Sequence, residues 1–223
     1  MAETETAPPL DDAAVLVIVA HPELGVSRAN LALMRAARAL GERSPPGRIV
    51  MRDLYALYPD YLIDVEAERT QMARARLVVW QQPLHWYGMP PLLKLWVDEV
   101  LGFGWAYGPG GDALRGKDLW LVASTGGPQD SYRPDSYNRY FFDAFLPPYE
   151  QTAALCGMRF LPPLVLHGAH QASAADLARH ADLYAERLDA YPDWPEMADL
   201  EDCPMCVVPL DVRPADSPSP GAD

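Results

Sequence analysis

Short apolar segments separated by helix-like stretches constrain the fold of this chain most. Residues Ala14–Ala20 form a continuous apolar run of strand length, which is typical of a central parallel strand buried on both faces. We predict further strands at Arg48–Asp53, Leu77–Gln81, Asp118–Thr125 and Phe160–His167. Because helix-like segments separate these five strands, the pattern predicts a doubly wound α/β sheet.

The intervening segments have helical periodicity. We predict helices at Arg28–Leu40, Glu66–Arg76, Pro91–Leu101, Tyr137–Gly157 and Ser173–Tyr191. Ser27 is a suitable N-cap for the first helix. We expect the fourth helix to be kinked or interrupted at Pro147-Pro148, because proline removes a donor and clashes with the preceding turn. Tyr55–Val65 is predicted to be an irregular aromatic loop.

Length and charge bound the domain organisation and the class of partner. With 223 residues, the chain is long enough for one domain with a sizeable core. We expect a disordered acidic leader over residues 1–12, the globular domain over 13–191, and a tail rich in proline and acidic residues over 192–223. The 31 acidic and 18 basic residues give a formal charge of −13, which argues against binding to nucleic acid.

The sequence favours a cytoplasmic protein. No segment approaches the roughly 18 apolar residues that a membrane-spanning helix needs, and the N-terminus lacks the basic stretch of a signal peptide. Three cysteines do not make a disulfide framework.

No metal site is predicted. Cys203 and Cys206 form a C-x-x-C pair in the tail, which we interpret as inert, because the sequence around them indicates neither a packed helix nor further ligands. His167, His170 and His180 lack the spacing of metal ligands.

The turn between the first strand and the first helix is a candidate anion site. It carries His21, and Ser27 to Asn30 begin the helix. The free N–H groups and the dipole of a helix N-terminus favour a phosphate. His21 can donate a hydrogen bond even when neutral. The alternative is an ordinary capped helix with a surface histidine. The G-x-G-x-x-G pattern of nicotinamide-binding turns is absent here.

The third predicted strand ends in an unusual loop, Pro83-Leu-His-Trp-Tyr-Gly88. Turns normally favour Gly, Asn, Asp and Ser, so aromatic residues there are better suited to gripping a flat ligand. Trp86 could stack on or flank such a ring. The alternative is that Trp86 and Tyr87 are core residues.

Ser124-Thr-Gly-Gly127 ends the fourth predicted strand. Its two glycines would let the backbone approach a ligand closely. The alternative is a plain glycine turn. In a flavodoxin-like sheet of order 2-1-3-4-5, the loops after strands one, three and four meet at the switch point, where the flavin binds. The three loops therefore predict one crevice.

These segments carry a family resemblance. The motifs His21-Pro22, Ser27–Asn30, Pro83–Trp86, Pro90–Trp96, Gly104–Gly108 and Ser124–Gly127 together resemble the NAD(P)H:quinone oxidoreductase family of flavodoxin-like flavoproteins. Within that family, the bacterial ancillary flavoproteins of the glutathione-regulated potassium-efflux system are most similar. The similarity spans residues 14–191.

The resemblance implies a homodimeric enzyme that holds FMN at the dimer interface, FAD being the cofactor of longer relatives. It implies two-electron, ping-pong hydride transfer from NAD(P)H through the flavin to a quinone. Two alternatives stay open. One is a regulatory ancillary subunit of a membrane potassium/proton antiporter, peripheral to the inner face of the cell membrane. The other is a reductase of azo or nitroaromatic acceptors.

The resemblance also implies roles for particular residues. The cofactor-binding residues would be His21, Ser27, Arg28, Ala29, Asn30, Pro83, Leu84, His85, Trp86, Ser124, Thr125, Gly126 and Gly127. Tyr132 would stabilise charge on the reduced cofactor, and Trp105 and Tyr107 would line the substrate pocket from the partner subunit, Tyr107 as a second catalytic residue. One position departs from the pattern: Asn138 stands where the animal enzymes have a histidine paired with the tyrosine.

That departure puts a histidine-assisted proton relay in doubt. Tyr132 or solvent would then have to stabilise the added charge. Arg133 lies in the same loop, and it is either a source of positive charge near the flavin or a solvent-facing side chain.

Overall fold

The sheet has five parallel strands, as the computed structural model of residues 14–198 and 200 describes. The strands are β1 Val15–Val19, β2 Ile49–Asp53, β3 Leu77–Pro83, β4 Asp118–Ser124 and β5 Arg159–Leu166. Their order is β2-β1-β3-β4-β5, and every neighbouring pair is parallel. The predicted doubly wound, flavodoxin-like α/β fold is therefore confirmed.

Within the part of the chain that the structure describes, six α-helices cover the two faces of the sheet. They are α1 Arg28–Arg43, α2 Leu54–Leu57, α3 Val65–Arg74, α4 Pro91–Val100, α5 Pro147–Leu155 and α6 Ala174–Ala190. In β1, Val15, Val17 and Val19 pack against one face, with residues of α1 and α6. Leu16 and Ile18 pack against the other, with residues of α3, α4 and α5. This burial on both faces explains the continuous apolar run.

Buried charges tie the helical layers to the sheet. The carboxylate of Glu68 in α3 is fully buried. It accepts hydrogen bonds from Arg52 Nε at 3.0 Å, from the Tyr58 hydroxyl at 2.5 Å and from Trp96 Nε1 at 3.0 Å. Burial, followed by the hydrogen bond to this carboxylate, raises the pKa of Tyr58 to about 12. Because Glu68 is satisfied by three partners, its burial does not leave an unpaired charge.

The predicted helix over Tyr137–Gly157 is wrong in its first half. The helix begins only at Pro147, and a short 3-10 segment, Phe142–Phe145, precedes it. Pro147 and Pro148 occupy the first helical turn, where the missing N–H groups have no helical partner to lose. The two prolines therefore start this helix instead of kinking it. Tyr55–Val65 is also more regular than predicted, because α2 includes its first residues.

Packing continues past the predicted domain end at residue 191. Trp194 is only 5% exposed, and its ring centroid lies 4.8 Å from that of Trp120. Its indole N–H donates to the Arg187 carbonyl at 2.7 Å. A 3-10 turn, Pro195–Ala198, follows. The folded unit therefore extends beyond Tyr191. The leader at residues 1–12 and the Cys203/Cys206 pair lie outside the described residues.

No helix within residues 14–198 combines the length and the apolar character needed to span a bilayer.

Replacing Trp194 tests this extended boundary. Trp194→Ala should lower the free energy of unfolding by about 3–5 kcal/mol, the usual cost of removing a buried tryptophan. The matched control is Trp86→Ala, since Trp86 is 95% exposed and should change stability by less than about 0.5 kcal/mol. Urea unfolding of the cofactor-free protein measures both values. An equal loss of unfolding free energy in the two variants would contradict a folded unit that extends to Trp194.

Candidate functional site

A cavity of about 480 Å³ lies at the carboxyl ends of β1, β3 and β4. This volume is within the range of roughly 300–1,000 Å³ typical of small-molecule sites. The position is the topological switch point of the sheet, where open α/β folds bind ligands. Of the predicted cofactor-binding residues, the cavity wall contains His21, Ser27, Arg28, Ala29, Pro83, Leu84, His85, Ser124, Thr125 and Gly126.

The first turn of α1 forms part of the cavity wall. The Ser27 hydroxyl accepts the Asn30 N–H at 3.2 Å and caps the helix. Arg28 and Ala29 follow on the cavity wall, and the N–H groups of a first helical turn have no partner within the helix. The helix dipole adds a partial positive charge. This part of the cavity wall can therefore bind an anionic group such as a phosphate.

His21 also lies on the cavity wall, where it can act as a neutral donor. Burial, followed by the neighbouring His85, lowers the pKa of His21 below its ordinary value. The two rings lie edge to face with centroids 6.0 Å apart. His21 Nδ1 accepts the Glu23 N–H at 3.0 Å, so the neutral ring carries its proton on Nε2. That proton can be donated to an anion in the cavity.

The loop after β3 is a tight turn with two aromatic residues at its tip. His85 and Gly88 exchange backbone hydrogen bonds of 3.2 and 3.0 Å, and Trp86 and Tyr87 between them have φ of 47° and 64°. Bulky residues seldom adopt positive φ. Trp86 is 95% exposed, so the alternative of a core tryptophan is wrong. The turn presents its indole outward, beside the cavity.

The loop after β4 is held from both sides and leaves a backbone donor free. Leu84 N donates to Ser124 O at 2.8 Å, and Thr125 N donates to Leu166 O at 2.9 Å. Among the residues that the structure describes, the Gly126 N–H has no hydrogen-bond partner. A Cβ on Gly126 would lie 3.3 Å from His170 Cδ2. Because glycine has no side chain, the cavity wall is open at this position and the Gly126 N–H is available to a ligand.

Tyr132 lies behind this loop and not on the cavity wall. Its ring is 7% exposed and contacts Phe142 and His167, with centroids at 5.5 and 5.3 Å. Burial raises the pKa of Tyr132, and the neighbouring Thr125 hydroxyl partly opposes the shift. Arg133 pairs with Asp130 at 3.1 Å on the exposed surface.

Asn138 does not replace the missing histidine chemically. It donates to Ser131 Oγ at 2.8 Å and accepts from the Tyr87 hydroxyl at 3.3 Å. These contacts anchor the loop that carries Tyr132, and an amide does not titrate.

Four other predicted site residues lie away from the cavity wall. Asn30 is buried behind it, donating from Nδ2 to Ser124 Oγ at 2.9 Å. Gly127 lies beside Ser131. Trp105 packs against Arg69, whose guanidinium carbon lies 4.9 Å from the centroid of the Trp105 ring. Tyr107 contacts Phe103. The role of Trp105 and Tyr107 in a partner's pocket stays a prediction.

Sequence reasoning missed the loop after β5. Ala169 and His170 line the cavity, and Ala169 N donates to Thr125 O at 2.9 Å. A signal was present, since His167 ends the fifth predicted strand and the carboxyl ends of parallel strands meet at one edge. The predicted crevice includes only the loops after the first, third and fourth strands.

Comparison with known proteins agrees with this geometry. The flavodoxin-like fold family matches residues 13–188. The glutathione-regulated potassium-efflux system ancillary protein KefF of Citrobacter koseri is 43% identical over 179 residues, which cover 80% of this chain and 97% of that protein.

Two solved structures are also similar. General stress protein 14 of Treponema denticola, in complex with FMN, is 37% identical with a TM-score of 0.73, over 79% of this chain and 98% of that one. An NADPH-quinone reductase of P. pentosaceus is 26% identical with a TM-score of 0.66, over 78% of this chain and 96% of that one.

The chain therefore belongs to the flavodoxin-like fold family, and within it to the group of the KefF ancillary proteins.

Two N-cap serines allow a matched test of the anion site. Ser27→Ala and Ser173→Ala each remove a helix cap, so each should cost about 1 kcal/mol of stability. Only Ser27 lies on the cavity wall. FMN titration by fluorescence quenching should therefore give an affinity about tenfold weaker for Ser27→Ala, since one charge-assisted hydrogen bond contributes ~1.5–3 kcal/mol. An equal loss in Ser173→Ala would show that the effect is one of stability.

Proposed function

We propose that this protein is an FMN-dependent NAD(P)H:quinone oxidoreductase that acts as a homodimer. The observation that carries the proposal is the cavity itself, whose wall combines a helix N-terminus with the loops at the strand ends. FMN has the two groups that suit such a wall, a phosphate for the helix N-terminus and a flat ring for the loops. The family membership and the FMN complex of the Treponema denticola protein support the same cofactor.

The residues present fit this cofactor. At the phosphate end, the Arg28 side chain, the Ser27 hydroxyl and the His21 Nε2 proton offer positive charge and donors. At the ring end, Pro83 and Leu84 supply an apolar wall, and the free Gly126 N–H supplies a donor. FAD is less suited, because the cavity volume of about 480 Å³ is modest for a dinucleotide.

When bound, FMN would supply the two-electron chemistry, passing a hydride from NAD(P)H to the quinone in a ping-pong cycle. The chain would orient the ring between the β3 and β4 loops and keep the phosphate fixed on α1. Each hydride step needs the reacting atoms within about 3–3.5 Å, so a rigid cradle contributes directly to the rate. The backbone hydrogen bonds of Leu84 and Thr125 make these loops rigid.

The homodimer would complete the pocket above the ring. Several aromatic side chains near this edge are exposed, among them Trp86, Tyr137, Tyr140 and Phe141. Clustered exposed apolar groups mark interaction surfaces. We propose that the partner's copies of Trp105 and Tyr107 contact the substrate from across this surface.

Activity with and without the cofactor tests the proposal. Protein loaded with FMN should be yellow and should oxidise NADH or NADPH with menadione as acceptor, and this rate should vanish when FMN is removed and return when it is added. Gly126→Val should lower turnover at least tenfold, because the new side chain would meet His170 and narrow the cavity. The matched control is Gly25→Val, since a Cβ at Gly25 meets nothing within 4 Å. A colourless protein with no quinone-dependent oxidation would refute the proposal.

A second candidate role is that of a regulatory ancillary subunit of a membrane potassium/proton antiporter. The similarity to KefF, which covers 97% of that protein, favours it. The two roles are compatible. In this role the protein would be cytoplasmic and peripheral to the inner face of the cell membrane. Azo and nitroaromatic compounds are further candidate acceptors.

Potassium flux tests the ancillary role. Membrane vesicles that contain the antiporter encoded nearest to this gene should lose potassium faster when this protein is added to the cytoplasmic face. The FMN-free protein is the control that separates binding from redox chemistry. No change in flux, together with no retention of the protein on these vesicles, would exclude the role.

A further inference from the structure

A threonine, a tyrosine and a histidine meet directly behind the cavity. Thr125 lies on the cavity wall, and its hydroxyl oxygen is 3.2 Å from His167 Nδ1. The same hydroxyl neighbours Tyr132 and partly opposes the rise that burial causes in the pKa of its phenol. The rings of Tyr132 and His167 lie 5.3 Å apart between centroids. Thr125 therefore connects the cavity wall to the imidazole of His167, against which the Tyr132 ring packs.

The hydrogen bonds of Thr125 determine which nitrogen of His167 carries the proton. Thr125 Oγ1 donates its single proton to Gly127 O at 2.8 Å. Its lone pairs are then free to accept, so the 3.2 Å contact is a hydrogen bond that His167 Nδ1–H donates to Thr125 Oγ1. In the neutral ring, His167 therefore carries its proton on Nδ1, and Nε2 is the basic atom.

The surroundings keep His167 neutral at rest. It is half-buried, and burial alone lowers its pKa below the ordinary value. Its ring neighbours are Tyr132 and Phe142, and the titratable groups that act on Tyr132 in turn are Tyr87 and Tyr137. None of these carries charge near neutral pH. A negative charge that forms in the cavity would therefore act on a neutral imidazole behind Thr125, with no charged group among the ring neighbours named above to offset it.

We propose that His167 is the positioning residue that balances charge in this site, taking a proton on Nε2 when the site is reduced and holding it until the acceptor is reduced. This inference rests on the proposed function. It assigns the titrating role to the end of β5, whereas Asn138 occupies the position that the resemblance had indicated.

The proton balance of the reaction supports such a group. The overall conversion is NAD(P)H plus quinone plus one proton to NAD(P)⁺ plus quinol. NAD(P)H delivers two electrons and one proton as a hydride, so the reduced site gains one negative charge. A solvent proton on Nε2 neutralises it. When the quinone accepts the hydride, this proton completes the quinol and His167 returns to neutral.

Counting protons tests the proposal directly. Anaerobic reduction of the FMN-loaded protein by NAD(P)H in weak buffer near pH 7.5, followed with an indicator dye, should take up about one proton per site, because an anion nearby raises the pKa of a histidine. His167→Asn keeps an amide donor at the Nδ1 position but cannot titrate. It should take up little or no proton, and its quinone turnover should fall about a hundredfold, the lower end for a positioned proton donor.

Two further variants serve as a control and as a second substitution of His167. His180→Asn is the matched control, since His180 is another half-buried histidine whose pKa is lowered by burial and it lies outside the cavity wall. It should keep the full proton uptake and turnover. His167→Gln serves if His167→Asn does not fold. Normal uptake in a His167 variant, or no uptake in the natural protein, would overturn the proposal.

Failure of the proposed function would look different. If NAD(P)H does not bleach the flavin absorbance, the oxidoreductase assignment is wrong. Photoreduction of the same samples then still compares proton uptake between the natural protein and His167→Asn, and equal uptake overturns the role of His167.

Discussion

A three-way set of hydrogen bonds at Asn30 fixes the site to the sheet. The Asn30 backbone N–H is capped by Ser27, its carbonyl accepts from Gln81 Nε2 at 2.9 Å, and its amide donates to Ser124 Oγ at 2.9 Å. These bonds join the start of α1 to the ends of β3 and β4. Because Asn30 is 1% exposed, water does not compete for them. The first turn of α1 and the loops after β3 and β4 are therefore held in one fixed arrangement.

The loops extend this arrangement by continuing the ladder of the sheet. Ala20 N donates to Gln81 O, Leu84 N to Ser124 O and Thr125 N to Leu166 O. Each loop is thus braced by the end of the next strand in the order β1-β3-β4-β5. Loops held in this way bind a ligand with little ordering cost. Positive φ at Trp86 and Tyr87 is tolerated because the braced ends over-determine the turn.

The sequence predicted the sheet well because burial on both faces leaves an unmistakable apolar run, as at Val15–Val19. It failed at Tyr137–Gly157, where apolar residues belong to an irregular loop and prolines mark a helix start. The cavity-lining loops were predictable from their places at strand ends. The contact between Thr125 and His167, 42 residues apart in the chain, was not, because it depends on the register of β4 against β5 and on how both loops turn.

The groups on the cavity wall favour an anion although the chain as a whole is strongly acidic. The formal charge of −13 would repel a phosphate at long range, yet such repulsion fades beyond a Debye length of about 8 Å in physiological salt. Within that distance the cavity offers the α1 N-terminus, the Arg28 side chain and the His21 imidazole, which is a donor while neutral. A neutral donor can stabilise an anion, and it leaves no unpaired positive charge in the cavity when no ligand is bound. The same logic applies to His167, whose neutrality at rest leaves it free to become charged only when electrons arrive.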